Sequence, residues 1–342
     1  MQYTAVDLFC GAGGLTYGLE KAGIPVTVGI DADKTCYYPY TKNNEASFLN
    51  EDIRELSAKR LEDLYPSGSL KILAGCAPCQ PFSSLGRGQT CNSEKWGLLS
   101  RFGEYIKAFG PPLVTMENVP GLLDHSIFDD FISILENHNY HVFKKVIDAR
   151  NYNVPQQRER LVLLGSKLGP ISIIDPQTPH EYKTVRGAIQ KLPQIEAGGQ
   201  DESDRLHKSA GLSKKNLKRI RASSPGGTWK DWPEHLRLKC HRKDSGSSYT
   251  SIYGRMEWDK SSPTITTQFY TYGTGRFGHP EQDRAISFRE AALLQSFPHE
   301  YSFMPPRGDL SMKDLGRLIG NAVPVNLAYA IGISIKKHLK EV

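Results

Sequence analysis

Cysteine is scarce: six in 342 residues, too few and too scattered for a disulfide framework, so the expected compartment is one that keeps thiols reduced. Zinc would need a second C-x-x-C, or a His pair near Cys76-x-x-Cys79. Neither is there, so no metal is expected. No window approaches the ~20 consecutive apolar residues that a membrane helix requires. The start, Met1-Gln2-Tyr3-Thr4-Ala5-Val6-Asp7, enters a structural pattern at once and lacks the basic-then-apolar layout of a signal peptide. Internal repeats and long low-complexity tracts are missing too. These absences argue against secreted disulfide scaffolds and membrane-spanning proteins, and they predict a cytoplasmic chain.

Hydrophobic residues make up 39% of the chain and charged residues 23%, the balance of a globular protein. The length suffices for a large domain plus a smaller one, each with its own core. Net charge is +6 with a pI near 8.8, which by itself points only weakly to a polyanionic partner. The distribution says more. Residues 205–243 hold twelve Lys or Arg against Asp231 and Glu234 alone, which leaves the remainder slightly acidic.

Short apolar bursts at 4–9, 26–30, 71–74, 113–116 and 161–165 have strand length, and 15–22 and 127–137 show helical spacing of apolar positions. Such alternation predicts an α/β fold of βαβ units with a mostly parallel sheet. In these sheets ligands bind beyond the carboxyl ends of the strands, so residues just after each strand are the candidates for chemistry. After Pro170 strong apolar runs disappear, and Gly198-Gly199-Gln200-Asp201 and Ser223-Ser224-Pro225-Gly226-Gly227 read as loops. A strand-like 262–268, a helix at 287–297 and an apolar helix from 325 to about 335 follow. The expected organisation is a large domain of 1–178 plus 312–342, with a smaller basic domain at 179–311.

Asp7-Leu8-Phe9-Cys10-Gly11-Ala12-Gly13-Gly14 lies between the first strand and a helix, where glycines let the backbone approach a ligand. It does not complete the G-x-G-x-x-G dinucleotide fingerprint, and mere turn chemistry is its bland alternative. Asp31, directly after the second strand, sits where a carboxylate can accept both ribose hydroxyls of a nucleoside cofactor; a helix cap is its other reading. Asp52-Ile53 offers a third contact of the same kind. The most informative segment is Gly75-Cys76-Ala77-Pro78-Cys79-Gln80-Pro81-Phe82-Ser83. Further along come Glu117-Asn118-Val119, Gln156-x-Arg158-x-Arg160 and Gly320-Asn321-Ala322-Val323-Pro324.

With these five motifs in this order, the chain resembles the DNA cytosine-C5 methyltransferase family of the bacterial type II restriction-modification kind, from Asp7 to about Ile331. The resemblance implies a Rossmann-like S-adenosylmethionine-dependent domain paired with a smaller basic target-recognition domain. Carbon 5 of cytosine is too poor a nucleophile to take a methyl group directly. A thiolate adding at carbon 6 makes an enamine that pushes electron density onto carbon 5, and Cys79, followed by Gln80, fits that part. Glu117 is then expected to meet ring nitrogen 3 and the exocyclic amine of an extruded cytosine. Asn118 orders the loop behind it. Arg160 holds Glu117 and the base carbonyl, and Arg158 supports the site or a phosphate.

S-adenosylmethionine is expected at Phe9, Gly11, Ala12, Gly14, Leu15, Asp31, Ala32, Asp52, Ile53, Pro78, Asn321, Ala322 and Val323. Asp31 departs from the family, which commonly has Glu there. Double-stranded DNA is the expected partner. The loop carrying Ser83 and Arg87 closes over it, and the basic stretch meets phosphates through Lys214, Lys215, Lys218, Arg219, Arg237 and Arg242. Trp, His and Arg of that stretch are candidates for reading base edges. A monomer is implied, associated with the nucleoid when on DNA, beside a cognate restriction endonuclease that acts on the same site without a stable complex. The nearest rival is a transfer-RNA cytosine methyltransferase on the same catalytic domain, whose Cys-Phe-Thr signature is missing here. More distant rivals are a nicotinamide-dependent oxidoreductase and a non-catalytic DNA-binding protein.

Overall fold

The computed structural model describes residues 2–78, 93–176, 181–242 and 250–342. Seven strands form one sheet in the order β3-β2-β1-β4-β5-β7-β6. They are β1 (Tyr3–Leu8), β2 (Val26–Ile30), β3 (Ser47–Leu49), β4 (Leu70–Gly75), β5 (Leu113–Asn118), β6 (His141–Asp148) and β7 (Glu159–Ser166). The first five in spatial order run parallel, and β7 is antiparallel to both β5 and β6. Strands β1, β4 and β5 are buried almost throughout, which is why their sequences read as unbroken apolar bursts. Edge strand β6 instead exposes Lys144 and Lys145, charges that discourage pairing with another chain.

Among the described residues the α-helices are α1 (Gly14–Lys21), α2 (Tyr37–Asn43), α3 (Ala58–Glu62), α4 (Ser93–Phe109), α5 (Ser126–Asn137), α6 (Val185–Ile189), α7 (Lys214–Arg221), α8 (Phe288–Leu294), α9 (Met312–Gly320) and α10 (Val325–Glu341). The chain divides into two compact units. One comprises Met1–Tyr152, Glu159–Gln177 and Ala322–Val342; the other comprises Asn153–Arg158 and Thr178–Asn321. Helix α9 and residues 153–158 therefore pack with the second unit, whereas boundaries at 178 and 312 would assign them to the first. The long closing helix returns to the sheet unit.

Helices α1 and α10 meet at close range because glycine lies at the contact. A Cβ on Gly18 would fall 2.3 Å from that of Ala328, and one on Gly332 would fall 2.6 Å from that of Ala22. The Met312–Glu341 stretch is long and apolar enough by composition to cross a membrane, yet 78% of its most apolar window is buried within the protein. It is a core element. On the sheet's other side Phe102 of α4 meets Phe131 of α5 edge to face at 5.4 Å. In the second unit Glu290 takes a bidentate pair from Arg284 at 2.7 Å and 2.7 Å. Residues 262–268 are not the strand expected: they make a single bridge, Ser262 to Gln156, and the backbone then turns.

Asp7 of β1 is fully buried. Its Oδ2 accepts from Thr16 at 2.8 Å, and Thr16 in turn bonds Tyr40 at 2.9 Å. Burial outweighs that hydrogen bond and pushes the carboxyl up to about 7. The folded state thus holds this proton more tightly than the unfolded chain does. Its contribution to stability is complete below pH 4 and fades as pH rises through about 7. Asp7→Asn should therefore gain on the parent between pH 4 and pH 7, by on the order of 1 kcal/mol per pH unit. Urea denaturation at several pH values checks this; parallel stability curves for the two proteins would contradict it.

Candidate active site

Sheet register brings the chemistry together. Leu8 pairs with both Ile30 and Gly75, and Gly75 pairs with Met116. Strands β1, β2 and β4 therefore end in step, β5 runs on two residues to Asn118, and the residues after Leu8, Ile30, Gly75 and Met116 share one edge. Phe9 follows at φ 59, then Gly11 at φ 55 and Gly13 at φ 90. Three left-handed residues in five bend the chain sharply into α1, a conformation that glycine adopts without steric cost. A Cβ on Gly11 would meet nothing within 4 Å, so the turn faces open space.

The Asp31 carboxylate crosses to this turn. Its Oδ2 accepts from the Gly11 amide at 3.0 Å, and its Oδ1 accepts from the Asp33 amide at 2.8 Å. A carboxylate oxygen can accept more than one hydrogen bond. An acid braced from behind by backbone amides, beside an open glycine turn, suits a ligand that presents hydroxyl donors. The accepting carboxylate fits the hydroxyls of an adenosyl ribose. Asp52 differs: Arg54 binds it through Nε at 3.0 Å and Nη2 at 2.5 Å, and that hydrogen bonding holds its carboxyl below the usual range. Ala12, Leu15 and Ile53 have buried side chains. Any ligand contact at Ala12 or Leu15 is left to the backbone. The carbonyl of Ile53 is already taken by the Tyr105 hydroxyl at 2.6 Å. Ala32 and Pro78 are exposed.

At the end of β5, Glu117 is only 3% exposed. Its Oε1 lies 3.0 Å from Nε of Arg160, at the start of β7, and Arg160 also donates to the Glu159 carbonyl at 2.7 Å. Antiparallel pairing of β5 with β7 brings this pair within reach. The other oxygen, Oε2, accepts from the Cys76 thiol at 3.1 Å. Asn118 donates to the Ala77 carbonyl at 3.2 Å and accepts from the Val119 amide at 2.8 Å, which ties β5 to the segment leading to Cys79. A buried carboxylate beside one guanidinium, at the rim of a sheet, can hold or release a proton toward a polar ring. Cys79, Gln80, Ser83 and Arg87 lie outside the described residues.

In the second unit, Arg158 is buried. It donates to Gln156 Oε1 at 3.2 Å, the Ile265 carbonyl at 2.9 Å and the Gly320 carbonyl at 3.1 Å. Gln156 also donates to Gln295 at 2.9 Å, and Gln295 donates to the Ile319 carbonyl at 2.8 Å. Of its two expected roles, support fits; a phosphate contact does not, because the guanidinium is enclosed by protein carbonyls. Gln295 was not foreseen, since a lone glutamine in a helical pattern carries no signal of burial. Asn321 is exposed, Ala322 half-buried and Val323 buried.

The basic stretch divides in two. Lys214, Lys215 and Lys218 stand exposed on α7, whose N-terminus Ser213 caps by accepting from the Asn216 amide at 3.2 Å. Arg219 corrects the sequence expectation: it is 4% exposed, donates to the Leu236 carbonyl at 2.9 Å and lies 5.7 Å and 5.5 Å from the Trp232 and Tyr253 rings. It is a pillar of a small core and not a phosphate ligand. Trp229 stacks on His241 at 4.0 Å, and Trp232 donates to Ser223 at 2.8 Å, so neither indole is free to read bases. Arg237 is half-buried and bonds the Lys230 carbonyl at 2.5 Å. The Arg242 side chain lies outside the described residues.

A family model described as C-5 cytosine-specific DNA methylase matches residues 3–337. The Type II methylase M.HgiDII of Herpetosiphon aurantiacus is 50% identical over 98% of this chain and 95% of its own length. The Type II methyltransferase M.Eco47II of Escherichia coli is 32% identical over 99% of this chain and 80% of its own length. Among solved structures, a prophage-encoded E. coli protein assigned as a DNA modification methyltransferase superposes with a TM-score of 0.76 at 21% identity. That match covers 99% of this chain and 100% of the other and shows a shared fold.

Proposed function

The chain belongs to the C-5 cytosine-specific DNA methylase family, and from that premise we propose that it methylates carbon 5 of one cytosine in a specific double-stranded DNA sequence through a covalent bond from Cys79 to carbon 6. The observation that carries this reading is the buried Glu117, paired with Arg160 at 3.0 Å and joined through Asn118 to Ala77, two residues before the thiol.

Family membership implies S-adenosylmethionine, which when bound would supply an electrophilic methyl group and, once its sulfur–methyl bond is broken, remain as S-adenosylhomocysteine. Phe9, the Gly11 turn and Asp31 would hold its nucleoside part, and the same arrangement of open turn and braced carboxylate supports them in that role. Every other step falls to the protein and the base. The cytosine is turned out of the duplex, because its carbon 6 is inaccessible within the stack. Glu117 donates a proton to nitrogen 3 and lowers the barrier to thiolate addition, while Arg160 fixes the direction of its carboxyl group. The Cys79 sulfur forms a bond to carbon 6, and electron density moves to carbon 5, which takes the methyl group. A base or water then removes the carbon-5 proton, the electron pair re-forms the 5,6 double bond, and Cys79 leaves as thiolate.

The second unit is assigned to target recognition, with Lys214, Lys215 and Lys218 on phosphates. The Type II naming of the relatives supports placing the chain in a restriction-modification system. There it works in the cytoplasm as a monomer, next to an endonuclease of the same specificity that it does not stably bind. Methyl transfer from labelled cofactor separates this reading from its rival. Label should enter duplex DNA as 5-methylcytosine and not transfer RNA; the reverse would replace DNA as the substrate.

Replacing Lys214, Lys215 and Lys218 by Ala should weaken duplex binding and make the log–log salt slope shallower by about 0.9 for each phosphate that is no longer neutralised. Arg219→Ala should instead lower thermal stability, because the buried guanidinium that bonds the Leu236 carbonyl and lies against the two rings is removed. An unchanged salt slope in the triple variant would move the DNA surface elsewhere.

A further inference from the structure

Cys76 has no role in the chemistry above, yet it touches the group at its centre. Parallel pairing of Gly75 with Met116 sets the residues that follow, Cys76 and Glu117, side by side at the strand ends. The Cys76 amide is fixed by donating to the Leu8 carbonyl at 3.3 Å, and its thiol donates to Glu117 Oε2 at 3.1 Å. The opposite oxygen of the same carboxylate lies 3.0 Å from Arg160. Glu117 is thus gripped from both sides, by a fixed cation on one and by the weakest common side-chain donor on the other.

We infer that Cys76 is a positioning residue for Glu117: the thiol holds the carboxylate in its working direction while no base is present, then yields its place on Oε2 to the base's exocyclic amino group. A thiol suits this exchange. Its hydrogen bond suffices to select one orientation of a buried carboxylate, whereas the incoming N–H is the stronger donor and displaces it at little cost. A lysine or arginine at the same position would compete with the base for that oxygen. The inference rests on the reading of Glu117 as the group that meets the base.

Cys76→Ala, Cys76→Ser and Glu117→Gln, alone and with Cys76→Ala, test it by steady-state kinetics on duplex DNA. Cys76→Ala should lower kcat by about tenfold, with KM for DNA, KM for cofactor and Tm close to the parent. Cys76→Ser, which restores a donor, should recover most of that loss. In the Glu117→Gln background Cys76→Ala should cost nothing further, because the carboxylate it orients is gone. If Glu117→Gln impairs turnover while Cys76→Ala does not, or if the two losses multiply in full, the positioning role is overturned. Full activity of Glu117→Gln itself would overturn the underlying reading instead.

Discussion

Cys79→Ser is expected to lose methyl transfer by a factor on the order of 10⁴ or more, the scale at which removal of a covalent nucleophile is felt, while cofactor and duplex DNA still bind. The reason is chemical. A serine hydroxyl is essentially un-ionised near neutral pH and leaves carbon 6 poorly, whereas a thiolate adds readily and departs by elimination. Binding should persist, because the contacts proposed for the cofactor lie on the Gly11 turn and Asp31 and those for phosphate lie on α7. Calorimetric titration with cofactor and a gel-shift with duplex DNA measure the two affinities apart from turnover. Retained methylation would remove Cys79 from its assigned role; abolished binding would make it structural.

Glu117→Gln should slow turnover by about 10²–10⁴-fold, the usual contribution of a positioned general acid or base. Glutamine preserves the shape of a side chain that is 3% exposed, so the fold should survive. Alanine would be a poorer choice, since it removes the side-chain volume and the acceptor oxygen as well as the charge, leaving a cavity beside the partly buried Arg160. The amide can neither carry the charge that Arg160 faces at 3.0 Å nor pass a proton to nitrogen 3. DNA affinity should change little, so the loss belongs in kcat. Activity within twofold of the parent would assign proton handling to another group.

Five of the seven strands were visible in sequence because they are interior. Strands buried on both faces collect Val, Ile, Leu and Ala without interruption. Strand β3 is three residues long, and β6 alternates poorly along an exposed edge; neither carries that signature. Residues 262–268 misled for the opposite reason. Their Thr-Ile-Thr pattern suits a strand, but the Ile265 amide bonds the Gln156 side chain at 2.9 Å and the Ile265 carbonyl takes Arg158, so side chains replaced the sheet neighbour.

Residues at strand ends were readable as candidates because sheet topology fixes where ligands go. Arg219 was not. Charge density in a sequence reports composition, and only the fold showed one cation of α7 lying beneath two aromatic rings while Lys214, Lys215 and Lys218 face solvent. Cys76 was legible only as half of a possible metal or redox pair, because its partner Glu117 is brought close by the sheet and not by the sequence.

Duplex DNA carrying 5-fluorocytosine at the target position tests whether Cys79 bonds carbon 6, since fluorine at carbon 5 cannot be eliminated as a proton is. In the presence of S-adenosylmethionine the protein should form a covalent complex that survives denaturation, and mass spectrometry of the digested complex should place the modified base on Cys79. An adduct on another residue, or normal methylation of unsubstituted DNA with no adduct on the fluorinated duplex, would contradict it.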